Sequence, residues 1–106
     1  MIVKRITQGL GELVQRGNYV KVHYTGKLPC GSIFDCTSLR GAPLEFKVGV
    51  GHMIRGIDEA IAQLRVGDKA EVICPPQKAY GSDGYKSVPA NSTVHVQIEV
   101  LSCSKF

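Results

Sequence analysis

Val94-His95-Val96-Gln97-Ile98-Glu99-Val100 alternates without a break between an aliphatic side chain and a polar one. A strand turns successive side chains to opposite faces, so this pattern sets Val94, Val96, Ile98 and Val100 on a core and His95, Gln97 and Glu99 in water. Three further stretches repeat the period of two. Val20, Val22 and Tyr24 alternate with Lys21, His23 and Thr25; Leu44, Phe46 and Val48 with Glu45 and Lys47; Ala70, Val72 and Cys74 with Lys69, Glu71 and Ile73. The last stripe is imperfect because Ile73 is itself apolar. Strands with one wet and one buried face point to an antiparallel sheet.

One segment departs from that period. Ile57, Ala60, Ile61 and Leu64 recur at the i, i+3, i+4, i+7 spacing of an amphipathic helix. Gly56 precedes it, Asp58 and Glu59 put negative charge in its first turn, Arg65 sits in its last, and Gly67 can supply a left-handed cap. A helix of about ten residues is marginal alone in water, so its apolar stripe must dock on the sheet. Pro29-Cys30-Gly31-Ser32 reads as a hairpin turn and Val66-Gly67-Asp68 as the helix exit. Between Pro75 and Ser92 lies a long loop, punctuated by Pro75, Pro76, Gly81, Gly84 and Pro89 and carrying Tyr80, Tyr85 and Val88. Long loops in small domains are more often functional than idle.

The 106 residues, 43% of them apolar, suffice for one core, and one domain over 1–106 is expected. The net charge of +4 and pI near 9.0 permit acidic partners, but no basic run demands them. The start, Met1 to Thr7, lacks a signal-like apolar stretch, and no run approaches the ~18 apolar residues of a membrane span. A soluble cytoplasmic monomer is expected. Cys30, Cys36, Cys74 and Cys103 show no Cys-x-x-Cys spacing and read as reduced thiols; with His23, His52 and His95 they make no ligand pattern, so neither metal nor cofactor is expected. Gly-x-Ser-x-Gly, His-Glu-x-x-His and a phosphate-cradling loop are all missing, and Gly49-Val50-Gly51 is too short for a dinucleotide fingerprint. Aromatic and aliphatic residues near strand ends and on the long loop remain: Tyr24, Phe34, Phe46, Ile54, Tyr80 and Val88. From periodicity alone they are core packing.

Several motifs in register say more. Val22-His23-Tyr24-Thr25-Gly26-Lys27-Leu28, with Gly31 and Phe34-Asp35, resembles the first signature block of the FKBP immunophilin family. Gly49-Val50-Gly51-His52-Met53-Ile54-Arg55-Gly56 resembles the second, and it leads to Val66-Gly67-Asp68-Lys69-Ala70. Pro75-Pro76, Ala79-Tyr80-Gly81 and Val88-Pro89-Ala90-Asn91-Ser92-Thr93-Val94 follow in the family's order. The likeness spans essentially the whole chain.

The resemblance implies an α+β fold, a strongly twisted antiparallel sheet of about five strands wrapped around one short helix. It also implies a peptidyl-prolyl cis-trans isomerase that assists protein folding and binds proline-containing peptides and the macrolides tacrolimus and rapamycin. Carried over by motif, Tyr24, Phe34, Asp35, Ile54 and Tyr80 take the catalytic positions. Leu44, Phe46, Met53, Ile57, Tyr85, Val88 and Val96 take the ligand-binding ones. The Ile54 N–H and Tyr80 hydroxyl would donate to ligand carbonyls, and Asp35 would accept from a polar ligand group or be satisfied locally by Tyr24 or an arginine. Three positions depart from the family. Ile57 stands where the pocket floor is usually Trp, and Leu44 and Val96 stand where Phe is common. Losing ~50–100 Å² of contact would weaken binding by roughly 1–2 kcal/mol. Two other readings are an FKBP-fold module that binds protein with little catalysis, and a basic β-domain gripping single-stranded nucleic acid through Lys27, Lys47, Lys78 and Lys86. The resemblance favours neither, and no nucleic-acid or membrane partner is expected.

Overall fold

Each of the four alternating stretches forms a strand. The computed structural model describes residues 1–85 and 87–105, the side chains of Ser38 and Arg40 excepted, so Lys86 lies outside the described residues. In chain order the elements are β1 (Ile2–Thr7), β2 (Tyr19–Lys27), β3 (Ile33–Cys36), α1 (Thr37–Arg40), β4 (Leu44–Lys47), α2 (Arg55–Ile61), β5 (Lys69–Cys74) and β6 (Val94–Ser104). The strands make one twisted antiparallel sheet in the order β1-β5-β6-β2-β3, with β4 also paired to β2.

The sheet has six strands, where about five were expected. β1 and β3 are the two beyond the four alternating stretches, and neither carries an alternating stripe. β6 runs along the whole of β2. On β2's other side the partner changes midway: β4 pairs with Tyr19 to Val22, and β3 pairs with Thr25 to Lys27. The single turn of α1 carries the chain between them. Thr37 fixes that turn to β2, because its buried hydroxyl accepts the Tyr24 N–H at 3.1 Å and lies 3.0 Å from His23 Nδ1.

The core lies where the stripes predict it. Val20, Val22, Val72, Val94, Val96, Ile98 and Val100 are at most 2% exposed, and Ile57, Ala60, Ile61 and Leu64 of the helical stripe are buried against them. The helix is shorter than its stripe. It spans seven residues and ends at Ile61, after which Gln63 and Leu64 donate to Ala60 and Ile61 in tighter turns that keep Leu64 buried. Gly67 is therefore not its cap. With φ at +94° it makes the turn into β5 and donates to the Val100 carbonyl at 2.8 Å. Arg65 likewise falls beyond the helix. Asp58 is in the first turn, but its carboxylate accepts the N–H groups of Gly49 and Gly51, tying the preceding loop to the helix. The 29–32 turn is as read: Leu28 donates to Ser32 and Gly31 to Leu28.

Candidate functional site

Two close approaches set the walls of a cleft between α2 and the sheet. A Cβ on Gly26 would lie 2.5 Å from Phe34 Cζ, so the bare backbone of β2 lets the Phe34 ring lie over it. A Cβ on Gly56 would lie 2.5 Å from Cys74 Sγ and 3.1 Å from the Lys78 carbonyl, so α2 presses on β5 and the loop beyond it. Ion pairs reinforce the second contact, with Glu59 held by Lys78 at 2.5 Å and by Arg55 at 2.9 Å. The Lys78 bond, with Arg55 adding to it, holds the Glu59 carboxyl below its ordinary range.

Val22, Tyr24, Phe34, Phe46, Met53, Ile54, Ile57, Tyr80, Val96 and Ile98 line the cleft, which encloses about 330 Å³ between side chains. The fully clear space is only about 10 Å³, roughly one water's worth. Tyr80 is the pivot of the cleft's mouth. Its ring meets the Phe34 ring edge-on at 6.0 Å and stacks on Tyr85 at 5.1 Å with planes 12° apart. No described residue accepts a hydrogen bond from the Tyr80 hydroxyl, and the Ile54 N–H donates to none. Burial, then the charge of Asp35, holds the Tyr80 phenol above its ordinary range, so the hydroxyl keeps its proton. Burial also pushes the Cys74 thiol behind α2 up to about 11, so it is not a thiolate near neutrality.

Eight of the twelve residues expected at the site thus share one cleft: Tyr24, Phe34, Ile54, Tyr80, Phe46, Met53, Ile57 and Val96. The other four do not line it. Asp35 accepts the Tyr24 hydroxyl and the Cys36 N–H, which is the local satisfaction weighed for it. Leu44 pairs with Val22 across the β4–β2 ladder, Val88 is 3% exposed within the core, and Tyr85 backs Tyr80. Val22 and Ile98 line the cleft without having been singled out. Both continue the buried stripes of their strands, where no periodic signal separates a cleft wall from the core. A larger, more open groove of about 590 Å³ is lined by His23, Thr25, Thr37, Lys69, Gln97 and Glu99 together with Tyr24, Cys36 and Ile98. Among the described residues no three His, Cys, Asp or Glu side chains gather as metal ligands, and no helix is long and apolar enough to cross a membrane. Of the lysines considered for nucleic acid, Lys78 is paired with Glu59 and Lys47 lies 5.8 Å over the Tyr19 ring.

An apolar slot with two unengaged donors and no ionised nucleophile in its lining suits rotation about an amide, not its cleavage, and sets the chain among amide-rotating isomerases. The model of the FKBP-type peptidyl-prolyl cis-trans isomerase family matches residues 11–101. The chain belongs to this family, and its activity is cis-trans isomerisation of peptidyl-prolyl bonds. It is 48% identical over 88 residues to peptidyl-prolyl cis-trans isomerase Fkbp12 of Drosophila melanogaster, covering 82% of each chain. It is 42% identical over 101 residues to FK506-binding protein 1 of Rhizopus delemar, covering 93% of this chain and 94% of that one. The crystal structure of FkpA from Escherichia coli superposes with a TM-score of 0.89 at 32% identity over 96% of this chain, which spans 47% of FkpA.

Proposed function

We propose that the cleft between α2 and the sheet is where the Xaa-Pro bond turns, with the prolyl ring over Ile57 and its flanking carbonyls on the Ile54 N–H and the Tyr80 hydroxyl. The observation that carries this reading is the pair of donors left without partners beside an otherwise apolar wall. Resonance gives the amide a rotation barrier of ~18–20 kcal/mol, and no bond needs to break to cross it. The twisted transition state has lost much of the carbonyl dipole, so a dry apolar wall disfavours it less than the planar ground state. Phe34, Phe46 and Ile57 supply that wall, and Tyr24 and Asp35 brace one another at its edge.

The same cleft binds tacrolimus and rapamycin in this reading, since relatives at 42% and 43% identity are named FK506-binding proteins. Ile57 and Val96 in the cleft offer less aromatic surface than Trp and Phe would, lowering affinity on the order of ten-fold. The protein acts as a cytoplasmic folding assistant and as a monomer of one domain, in keeping with four free thiols and a chain dense enough in apolar residues for one core.

Catalysed exchange of a short Xaa-Pro peptide, followed with and without a macrolide competitor, tests cleft and ligand together. Competitive inhibition and a several-fold loss of turnover in Tyr80→Phe are expected. Turnover that ignores both the macrolide and the substitution would move the site elsewhere. Ile57→Trp is expected to raise macrolide affinity about ten-fold.

A further inference from the structure

Tyr80 carries the hydroxyl on which the proposed site depends, yet it stands on a loop, not on a strand or helix. A loop side chain delivers a hydrogen bond at a fixed point only if something holds its ring. Phe34 touches it by an edge alone, and the broad contact is the parallel stack on Tyr85. Tyr85 is 51% exposed and is not among the residues lining the cleft, but its ring packs flat on Tyr80, which is.

The backbone explains how an exposed ring stays in place. Tyr85 and Val88 exchange N–H to carbonyl bonds of 3.0 and 2.8 Å, and Val88 is 3% exposed, so the short turn is anchored in the core. Gly84, at φ +70°, donates to the Tyr80 carbonyl at 3.1 Å; a Cβ there would lie 2.6 Å from the Val88 carbonyl oxygen, so the turn closes on itself only with glycine. Asn91 donates to the Gly81 carbonyl at 2.8 Å and closes the outer end. The bonds among Tyr80, Gly81, Gly84, Tyr85, Val88 and Asn91 thus make a bracket, with Tyr85 as the plate that backs Tyr80.

We infer that Tyr85 is a positioning residue for isomerisation: its ring, stacked on Tyr80, holds the Tyr80 hydroxyl over the cleft. This rests on the proposed role of that hydroxyl. Three variants and one double variant test it through kcat/KM for a short Xaa-Pro peptide. Tyr85→Ala is expected to lose about three- to ten-fold, and Tyr85→Phe, which keeps the ring, to stay within about two-fold of the parent. In a Tyr80→Phe background the hydroxyl is already gone, and Tyr85→Ala is expected to cost nothing more. The Tyr80 ring-proton resonances should shift in Tyr85→Ala, reporting loss of the stack apart from activity. Full turnover in Tyr85→Ala, an equal loss in Tyr85→Phe, or the same loss in both backgrounds overturns the inference. If Tyr80→Phe alone keeps parental turnover, the hydroxyl's role fails and the inference with it; if Tyr80→Phe loses turnover while Tyr85→Ala does not, only the inference fails.

Discussion

Two aspartates mark two parts of this molecule that use the same side chain for opposite ends. Asp68, at the turn into β5, is fully buried, with its oxygens taken by the Gly9 N–H at 2.5 Å, the Arg65 N–H at 2.8 Å and Arg5 at 3.2 Å. Asp35, at the end of the cleft, is half-buried and bound to the hydroxyl of Tyr24, itself a cleft wall. The first carboxylate joins three segments distant in sequence and holds backbone. The second orients one side chain at the edge of the proposed cleft. A buried charge with every bond filled acts on the fold alone, whereas one at the edge of an apolar slot can also shape what binds there.

The widest separation between the two should come from Asp68→Ala. It leaves the Gly9 and Arg65 donors and the Arg5 charge without their acceptor and is expected to cost about 3 kcal/mol of stability in denaturant unfolding. Turnover per folded molecule should not change. The pH dependence has a fixed sign. Burial alone would push the Asp68 carboxyl up, but the Gly9 and Arg65 N–H bonds and Arg5 outweigh it and hold the group below its ordinary range. Its contribution is therefore complete above the unfolded value near ~3.9 and disappears as pH falls through the lower folded value. Asp68→Asn should remove that acid-range component from the stability curve.

Asp35→Ala should reverse the proportions. Unfolding is expected to move by about 1 kcal/mol, while kcat/KM falls several-fold because Tyr24 loses its brace. An Asp35 variant as unstable as Asp68→Ala, with normal turnover, would erase the distinction. A smaller effect is expected from Glu59→Gln, which weakens the link between α2 and the loop carrying Tyr80: a change in KM below about three-fold, fading in high salt. Last comes an expected constancy. Because the Tyr80 phenol is held above its ordinary range, turnover should stay flat from about pH 6 to about pH 9, checked by peptide exchange across that interval.

The central strands and the helical stripe were legible because each has one dry face and one wet face, and that contrast is what period-two and period-3.6 patterns record. β1 carries none, for only Val3 is even half-buried and both faces of the strand largely meet water. β3, Ile33-Phe34-Asp35-Cys36, does not alternate apolar with polar residues, and its burial does not alternate either. The helix ran long in prediction because Leu64 stays buried after the helical hydrogen bonds have stopped. At the site, motif resemblance found the residues that project into the cleft and missed Val22 and Ile98, whose environment along the strand is the same as their neighbours'. Leu44 and Val88 show the reverse: both pack with the core that the cleft's walls belong to, yet neither is among the residues lining the cleft.

The handover from β3 to β4 along one flank of β2 bears on solubility as well as on shape. Each of the two pieces is four residues long, and the helical turn between them breaks their line. A foreign strand approaching that flank meets no long straight row of amide groups to pair with, so the ladder has little to propagate from. A catalyst of prolyl-bond isomerisation, which must handle extended peptide, thereby offers on this flank little for that peptide to join as a further strand.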